Sequence, residues 1–400
     1  MVCKISAHQG YGDLMGEDRN HNDNQKITVL GTGLVGRAIA ADLARSGFTV
    51  SAVDLDKGVL AWLERTHGVR GWCADFTGEQ LPELIADADL VVGAAPGHLG
   101  YGLMRRVIMA GKPMVDISFC PEDFTELDSL ARKKGVTVVP DMGVAPGMCN
   151  LLLGYHANRM EVDSYRCLVG GLPMERPWPL QYKSSWSPMD CLEEYVRPAR
   201  IRVAGKDLER PAMSDLEEVD FPEVGTLEAW NSDGLRSLLS SFPEIPHMVE
   251  KTLRYPGTTE YLRVLRELGY FSFDQVEVSG SMIRPVDLTA ALLFPRMKLE
   301  KGEAEFTLME VEIRGREEDR ETTWKYHLYD TYDPVTDTSS MARTTGYACS
   351  GAARLILAGM LTEPGIIPPE SAGVTEESFR FILQHLSDRG VQYHPQRLVY

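Results

Sequence analysis

One short run, Lys26-Ile27-Thr28-Val29-Leu30-Gly31-Thr32-Gly33-Leu34-Val35-Gly36, constrains this chain more than any other. A β-branched stretch leads into glycines at G-x-G-x-x-G spacing, and residues 35–46 then read as an amphipathic helix. The first glycine permits a tight turn, and the second removes a Cβ where a pyrophosphate must approach. The third lets the helix pack closely on the strand. Backbone N–H groups and the helix dipole then hold an anion, so Gly31, Gly33, Leu34, Val35 and Gly36 are predicted to bind a dinucleotide.

The same strand and helix alternation continues through TVSAVDLD, VRGWCADF, DLVVGAAP, KPMVDIS and VTVVPDMG, with helices expected near 79–86, 99–110 and 121–134. The apolar runs ITVL, LVVGAA and VTVV are continuous, as in strands covered on both faces. This predicts an α/β chain whose residues 25–155 form a Rossmann-type, doubly wound parallel sheet of six strands. Ligands in such sheets lie beyond the carboxyl ends of the strands. Asp75 and Phe76, Ala94, Ala95 and Pro96, Ser118 and Pro146 are therefore candidates for the cofactor crevice. Asp54 ends the second strand, where a carboxylate accepts hydrogen bonds from both adenine-ribose hydroxyls. A 2′-phosphate would be repelled by Asp54 and Asp56, with only Lys57 close by to oppose them, so the expected cofactor is NAD, with NADP second.

After Gly143 the pattern changes. The β-like segments YRCLVGGL, ARIRVAG, AEFTLMEVEIRG and TTWKYHLYDTY predict a second α+β unit with a mixed or antiparallel sheet over 156–338, assigned to substrate. Helical spacing at 339–359 and 376–386 predicts C-terminal helices, over 339–400, that return to the first unit. Residues 1–24 read as an irregular extension. Two packed units suit a length of 400 residues.

The formal net charge of -17 would repel phosphate backbones and anionic lipid, which argues against nucleic-acid or membrane partners and for a small ligand. No apolar run approaches a membrane span and the first residues lack a signal-peptide stretch, so a cytoplasmic location is expected. The seven scattered cysteines are expected to be reduced, with Cys149 placed near a motif described next. His98 and His156 lack metal-spaced partners, and no metal is expected.

The run Val138-Val139-Pro140-Asp141-Met142-Gly143-Val144-Ala145-Pro146-Gly147-Met148, followed by Asn150 and Gly154-Tyr155, resembles the signature that closes the Rossmann half in the saccharopine dehydrogenase superfamily. Gly170-Gly171-Leu172-Pro173, Pro179-Leu180-Gln181-Tyr182, Leu227-Glu228-Ala229-Trp230, Lys251-Thr252-Leu253-Arg254-Tyr255 and Met341-Ala342-Arg343 follow in the order that superfamily shows. The resemblance covers about residues 26–395 and is nearest to the lysine 6-dehydrogenases. It implies oxidation of an amine on an amino acid. In lysine 6-dehydrogenases the ε-amino group leaves as ammonia and allysine forms; in saccharopine dehydrogenases the substrate is a secondary amine. A homo-oligomer, dimer or tetramer, is expected. Trp178, Lys183, Trp186, residues 231–236 and residues 255–258 depart from the lysine 6-dehydrogenase pattern.

Hydride leaves an amine-bearing carbon only once nitrogen has given up its proton, so the site needs groups that handle protons. Asp141, at the end of the sixth strand, and Tyr182 and Lys183, on the first hairpin of the second unit, are the candidates. Asp141 would otherwise cap a helix starting near Ala145, and Tyr182 would pack as an aromatic with a wet hydroxyl. A substrate carboxylate calls for a fork-shaped cation, and Arg254 and Arg343 lie in the matched motifs, ahead of Arg197 and Arg236. The leading expectation that the resemblance implies is NAD-dependent deamination of lysine or a close relative to allysine and ammonia. The competing readings are a saccharopine-type enzyme acting on a secondary amine and a dinucleotide-binding protein without chemistry.

Overall fold

A computed structural model describes residues 25–184 and 187–400; the 1–24 extension, with Cys3, and Trp186 lie outside the described residues. The first half contains β1 (Lys26–Leu30), α1 (Leu34–Arg45), β2 (Thr49–Asp54), α2 (Lys57–His67), β3 (Arg70–Cys73), α3 (Leu81–Leu84), β4 (Leu90–Gly93), α4 (Gly97–Met109), β5 (Met114–Asp116), α5 (Asp128–Lys134) and β6 (Thr137–Val139). These strands are parallel and lie side by side in the order β3, β2, β1, β4, β5, β6. That order puts a topological switch point between β1 and β4, where α/β sheets bind ligands.

α6 (Met148–Ala157) then leads into β7 (Glu161–Pro173), α7 (Pro188–Glu194), β8 (Ala199–Val203), β9 (Lys206–Arg210), β10 (Glu217–Phe221), β11 (Gly225–Asn231), α8 (Leu238–Ser241) and β12 (His247–Arg254). α9 (Thr258–Glu267), the hairpin β13 (Val276–Val278) and β14 (Ser281–Ile283), and α10 (Pro285–Met297) come before the long pair β15 (Glu305–Glu317) and β16 (Arg320–Thr331). The chain finishes with α11 (Ser340–Leu357), β17 (Gly365–Ile366), α12 (Pro369–Ala372), α13 (Glu376–Ser387) and β18 (Tyr393–Val399). The second sheet runs β10, β11, β12, β7, β15, β16, β18, with β8 also pairing β12 and β9 pairing β8. It is mixed, because β12 and β7 are parallel while their neighbours pair antiparallel.

The two sheets share one core. Ile27 and Val92 of the first sheet, Leu152 of α6, Val311 of the second sheet and Ala352 of α11 belong to a single buried cluster. α6 is apolar nearly all round, as a helix covered on every side must be. The small residues of α11 let it lie close on α1, with Gly346 facing the Ile39 side chain. Asp42 of α1 ties this contact together: it accepts from Ser350 Oγ at 2.6 Å and from Arg389 Nε at 2.6 Å.

Four local expectations need correction. The helix expected at 121–134 is a 3₁₀ turn, Phe124–Leu127, followed by α5, because the Asp123 side chain caps Thr125 N and starts the turn late. The helix expected at 79–86 is only the single turn of α3. A seventh strand, β17, joins β6 from far along the chain. The C-terminal residues are not all helical, since β18 pairs with β16 in the second sheet.

Candidate active site

A cavity of about 620 Å³ opens at the carboxyl ends of the first sheet's strands and reaches the second sheet. Gly31, Gly33, Leu34, Val35, Gly36, Asp54, Asp75, Phe76, Ala94, Ala95 and Pro96 line one part, and Tyr182, Asp190, Glu194 and Arg254 line the other. Asp141, Pro146, Gly170, Met341 and Thr345 lie on its walls as well.

The glycine turn has the shape its spacing calls for. Gly31 adopts φ +96°, and a Cβ there would run into the Ala94 carbonyl. A Cβ on Gly36 would run into the Gly31 carbonyl, so the helix can approach only without one. Gly33, at the N-cap of α1, has no side-chain cap and faces open space. A twelve-residue helix thus presents uncapped N–H groups to an open cleft, which fits a pyrophosphate. Asp54 accepts from Thr32 N at 2.6 Å and from Asp56 N at 2.9 Å. Burial works against its charge, but these backbone N–H bonds outweigh burial and hold the carboxyl below the usual range.

At the far end, Arg254 closes β12 and is buried. Its Nη2 meets Glu194 Oε2 at 2.9 Å, and its guanidinium lies 4.3 Å from the centre of the Tyr182 ring. Burial pushes the Tyr182 hydroxyl well above the usual phenol value, Cys191 adds to the rise, and Arg254 only partly opposes it. Tyr182 therefore keeps its proton at neutral pH and suits donation better than base catalysis.

Asp141 Oδ2 accepts from Arg236 Nε at 2.8 Å, and Arg236 also donates to the Cys120 carbonyl. Asp141 does not cap a helix, because α6 starts later, behind Gly147. The nearby Asp116 is fully buried and accepts from Ser118 N and Ser118 Oγ. Burial raises its carboxyl to about 7 against the pull of Ser118, with Asp141 adding to the rise.

Three candidates lie away from the cavity lining. Lys183 turns to the Lys298 carbonyl at 3.0 Å and to Glu303 at 3.2 Å. Arg343 is held between Asp330 and Asp333, each at 3.2 Å. Ser118 is used up by Asp116. Cys149 donates to Asn150 Oδ1, and His156 Nε2 meets Tyr326 Oη at 2.8 Å; both residues are packed in the core.

Sequence reasoning missed the acidic helix α7. Asp190 Oδ2 accepts from Gly97 N at 3.0 Å, while its buried Oδ1 has no partner among the described residues. Just beyond, Arg197 pairs with Glu193 at 2.8 Å, lies 4.7 Å from the Phe119 ring centre, and keeps a buried Nη1 without a partner among the described residues. Arg197 and Glu194 also line a side void of about 50 Å³ that shares Phe119, Pro146 and Val169 with the main cavity. The run of acids in Met189-Asp190-Cys191-Leu192-Glu193-Glu194 was the available signal, but it reads equally well as a solvated helix face.

Residues 27–139 match the family model for the saccharopine dehydrogenase NADP binding domain, and residues 143–391 match that for the saccharopine dehydrogenase C-terminal domain. The chain belongs to the saccharopine dehydrogenase family. It is a dehydrogenase of that family with a nicotinamide-dinucleotide lobe. It is 22% identical to saccharopine dehydrogenase (NADP(+), L-glutamate-forming) of Saccharomyces cerevisiae, over 94% of this chain and 99% of that protein. It is also 22% identical to the mitochondrial alpha-aminoadipic semialdehyde synthase of Bos taurus, over 99% of this chain but only 51% of that longer protein. The apo saccharopine dehydrogenase (L-Glu forming) structure from Saccharomyces cerevisiae superposes with a TM-score of 0.77 at 21% identity, covering 94% of this chain and 100% of that one. That likeness establishes the saccharopine dehydrogenase fold. The expected nearness to lysine 6-dehydrogenases is not shown by these relatives, which are named as a saccharopine dehydrogenase and an alpha-aminoadipic semialdehyde synthase. Among the described residues no helix is long and apolar enough to cross a membrane.

Proposed function

We propose that this chain oxidises the secondary amine of saccharopine, or of a close dicarboxylic relative, and hydrolyses the resulting imine to glutamate and an aldehyde. The observation that carries this reading is a single cavity with a dinucleotide-shaped turn at one end and the Arg254–Glu194 pair at the other. A bound nicotinamide supplies the hydride acceptor. Arg254 and the free Nη1 of Arg197 supply cations for a substrate rich in carboxylates. The unpartnered oxygen of Asp190 suits an amino group, and Asp141, anchored by Arg236, contributes negative charge where an iminium develops.

For the dinucleotide we propose NAD. The family model and the fungal relatives are named for NADP, yet the cavity around Asp54 is lined by Leu55, Ala74 and Asp75, with no lysine or arginine among the described residues there. A ribose diol suits that carboxylate and a 2′-phosphate does not.

The test is reduction of NAD or NADP on adding saccharopine, beside the same assay with lysine alone. Turnover of saccharopine with NAD is expected. Turnover of lysine alone would replace this reading with simple deamination, and faster turnover with NADP would overturn the cofactor choice.

A further inference from the structure

Behind the substrate end of the cavity four side chains form an unbroken row. Glu194 Oε1 accepts from Thr252 Oγ1 at 2.7 Å, and Thr252 Oγ1 lies 2.7 Å from Ser232 Oγ. Ser232 Oγ lies 2.7 Å from Glu250 Oε2, which also accepts from Gly234 N at 3.1 Å. Ser232, Glu250 and Thr252 are buried, while Glu194 reaches the cavity wall.

Counting hydrogens decides what this row can be. It has three links, each needing one proton, and its two hydroxyls bring only two. With both carboxyls ionised, one buried link would bring two lone pairs together with no hydrogen between them, at the cost of an unmade bond. The missing proton must sit on a carboxyl. Placed on Glu250, it points every hydroxyl toward Glu194; placed on Glu194, it reverses them all. Both arrangements use the same heavy-atom positions, so a proton crosses from one end to the other by hydrogen shifts alone.

We propose that Glu250, Ser232, Thr252 and Glu194 are a proton relay that delivers a stored proton to the cavity wall for the departing nitrogen. The proposal rests on the amine-oxidising reading of the cavity. In the free protein Glu194 is paired with Arg254, and the proton rests at the other end of the row, on Glu250. Burial pushes the Glu250 carboxyl up to about 8; Ser232 opposes the rise, Glu194 adds to it, Gly234 opposes it and Asp233 adds to it. Among the described residues, Tyr165 and Cys167 of β7 and Arg197 across the side void also face it.

A substrate carboxylate competes for Arg254 and releases Glu194. The Glu250 proton then passes to Ser232 as Ser232 passes its own to Thr252 and Thr252 passes its own to Glu194. Glu194 turns and protonates the carbinolamine nitrogen. The C–N bond breaks, nitrogen leaves with the electron pair, and the carbinol hydroxyl gives its proton to water as the carbonyl forms. A proton from water refills the row.

Infrared difference spectra of the free protein at neutral pH test the shared proton without any substrate. Beside the bands of other buried carboxyls such as Asp116, one protonated-carboxyl C=O stretch should be present in wild type, lost in Glu250→Gln, shifted in Thr252→Val and restored in Thr252→Ser. A spectrum unchanged by Glu250→Gln would overturn the row. With saccharopine and NAD, Thr252→Val should lower kcat about a hundredfold while NAD affinity stays at the wild-type value, and Thr252→Ser should recover most of it. A wild-type kcat in Thr252→Val would overturn the relay. Failure of the wild-type protein to turn over saccharopine would overturn the substrate reading instead, and the infrared band would still report the row.

Discussion

Arg254 and Glu194 meet at 2.9 Å across the buried end of the cavity, joining the last residue of β12 to the last residue of α7. An ion pair in such a place stabilises little by itself, but losing one partner leaves the other charge stranded away from water. Arg254→Met should therefore cost about 3–5 kcal/mol, read as a lower urea midpoint. Arg254→Lys keeps the charge but loses the planar fork and its stacking on Tyr182. It should stay folded and raise KM for a dicarboxylic amine about tenfold or more, with a smaller change in kcat. An unaltered KM would remove Arg254 from substrate binding.

Asp54 is held by two backbone N–H groups at the end of β2. Asp54→Ala should weaken NAD about tenfold or more in calorimetry, the scale of one lost charged hydrogen bond. It should also narrow the difference between NAD and NADP. Stability should change by only about 1 kcal/mol, since the carboxylate is only partly buried and bonds two backbone N–H groups. Unchanged NAD affinity would place the adenine ribose elsewhere.

Lys183 and Arg343 separate motif from geometry. Lys183→Met should leave kcat and KM at wild-type values, because its ammonium points to Glu303 and Lys298. Arg343→Met should lower stability by about 3 kcal/mol through the stranded Asp330 and Asp333, again without a specific rise in KM. A large KM effect in either variant would return that residue to the substrate site.

Asp116 gives stability a pH dependence of defined sign. Its carboxyl is raised by burial from 3.8 to about 7, so between those values the folded chain keeps a proton the unfolded chain has lost. The folded state binds more protons there, and its stability falls as pH rises through that window, by up to about 1.4 kcal/mol per pH unit. Above about 7 this group adds no further loss. Urea midpoints taken from pH 4 to 8 should show a shallower decline in Asp116→Asn than in wild type. Identical slopes would mean that Asp116 titrates normally.

Much of the first sheet was legible because its signals are local. The glycines at 31, 33 and 36 and the acid at 54 each sit within a few residues of the element they govern, and the structure draws them around one cavity. The far end was harder to read. Asp190, Glu194 and Arg197 lie on or beside a seven-residue helix whose composition matches any wet surface, and only the fold brings Asp190 to Gly97, Arg197 to Phe119 and Glu194 to β12. Arg343 misled for the opposite reason: it stands inside a recognisable motif, but Asp330 and Asp333 occupy its guanidinium. The relay row was also invisible, since Glu194, Ser232, Glu250 and Thr252 become neighbours only through the pairing of β11 with β12 and the docking of α7.

The two late strands bear on how the protein is made. β17 adds an edge to the first sheet only after residue 366 has been synthesised, and β18 joins the second sheet only after residue 399. While the ribosome is still translating the middle of the message, the nascent nucleotide lobe presents β6 as an open strand edge. Both sheets can close only once residue 399 has been made, long after the glycine turn and the six strands around it have left the ribosome.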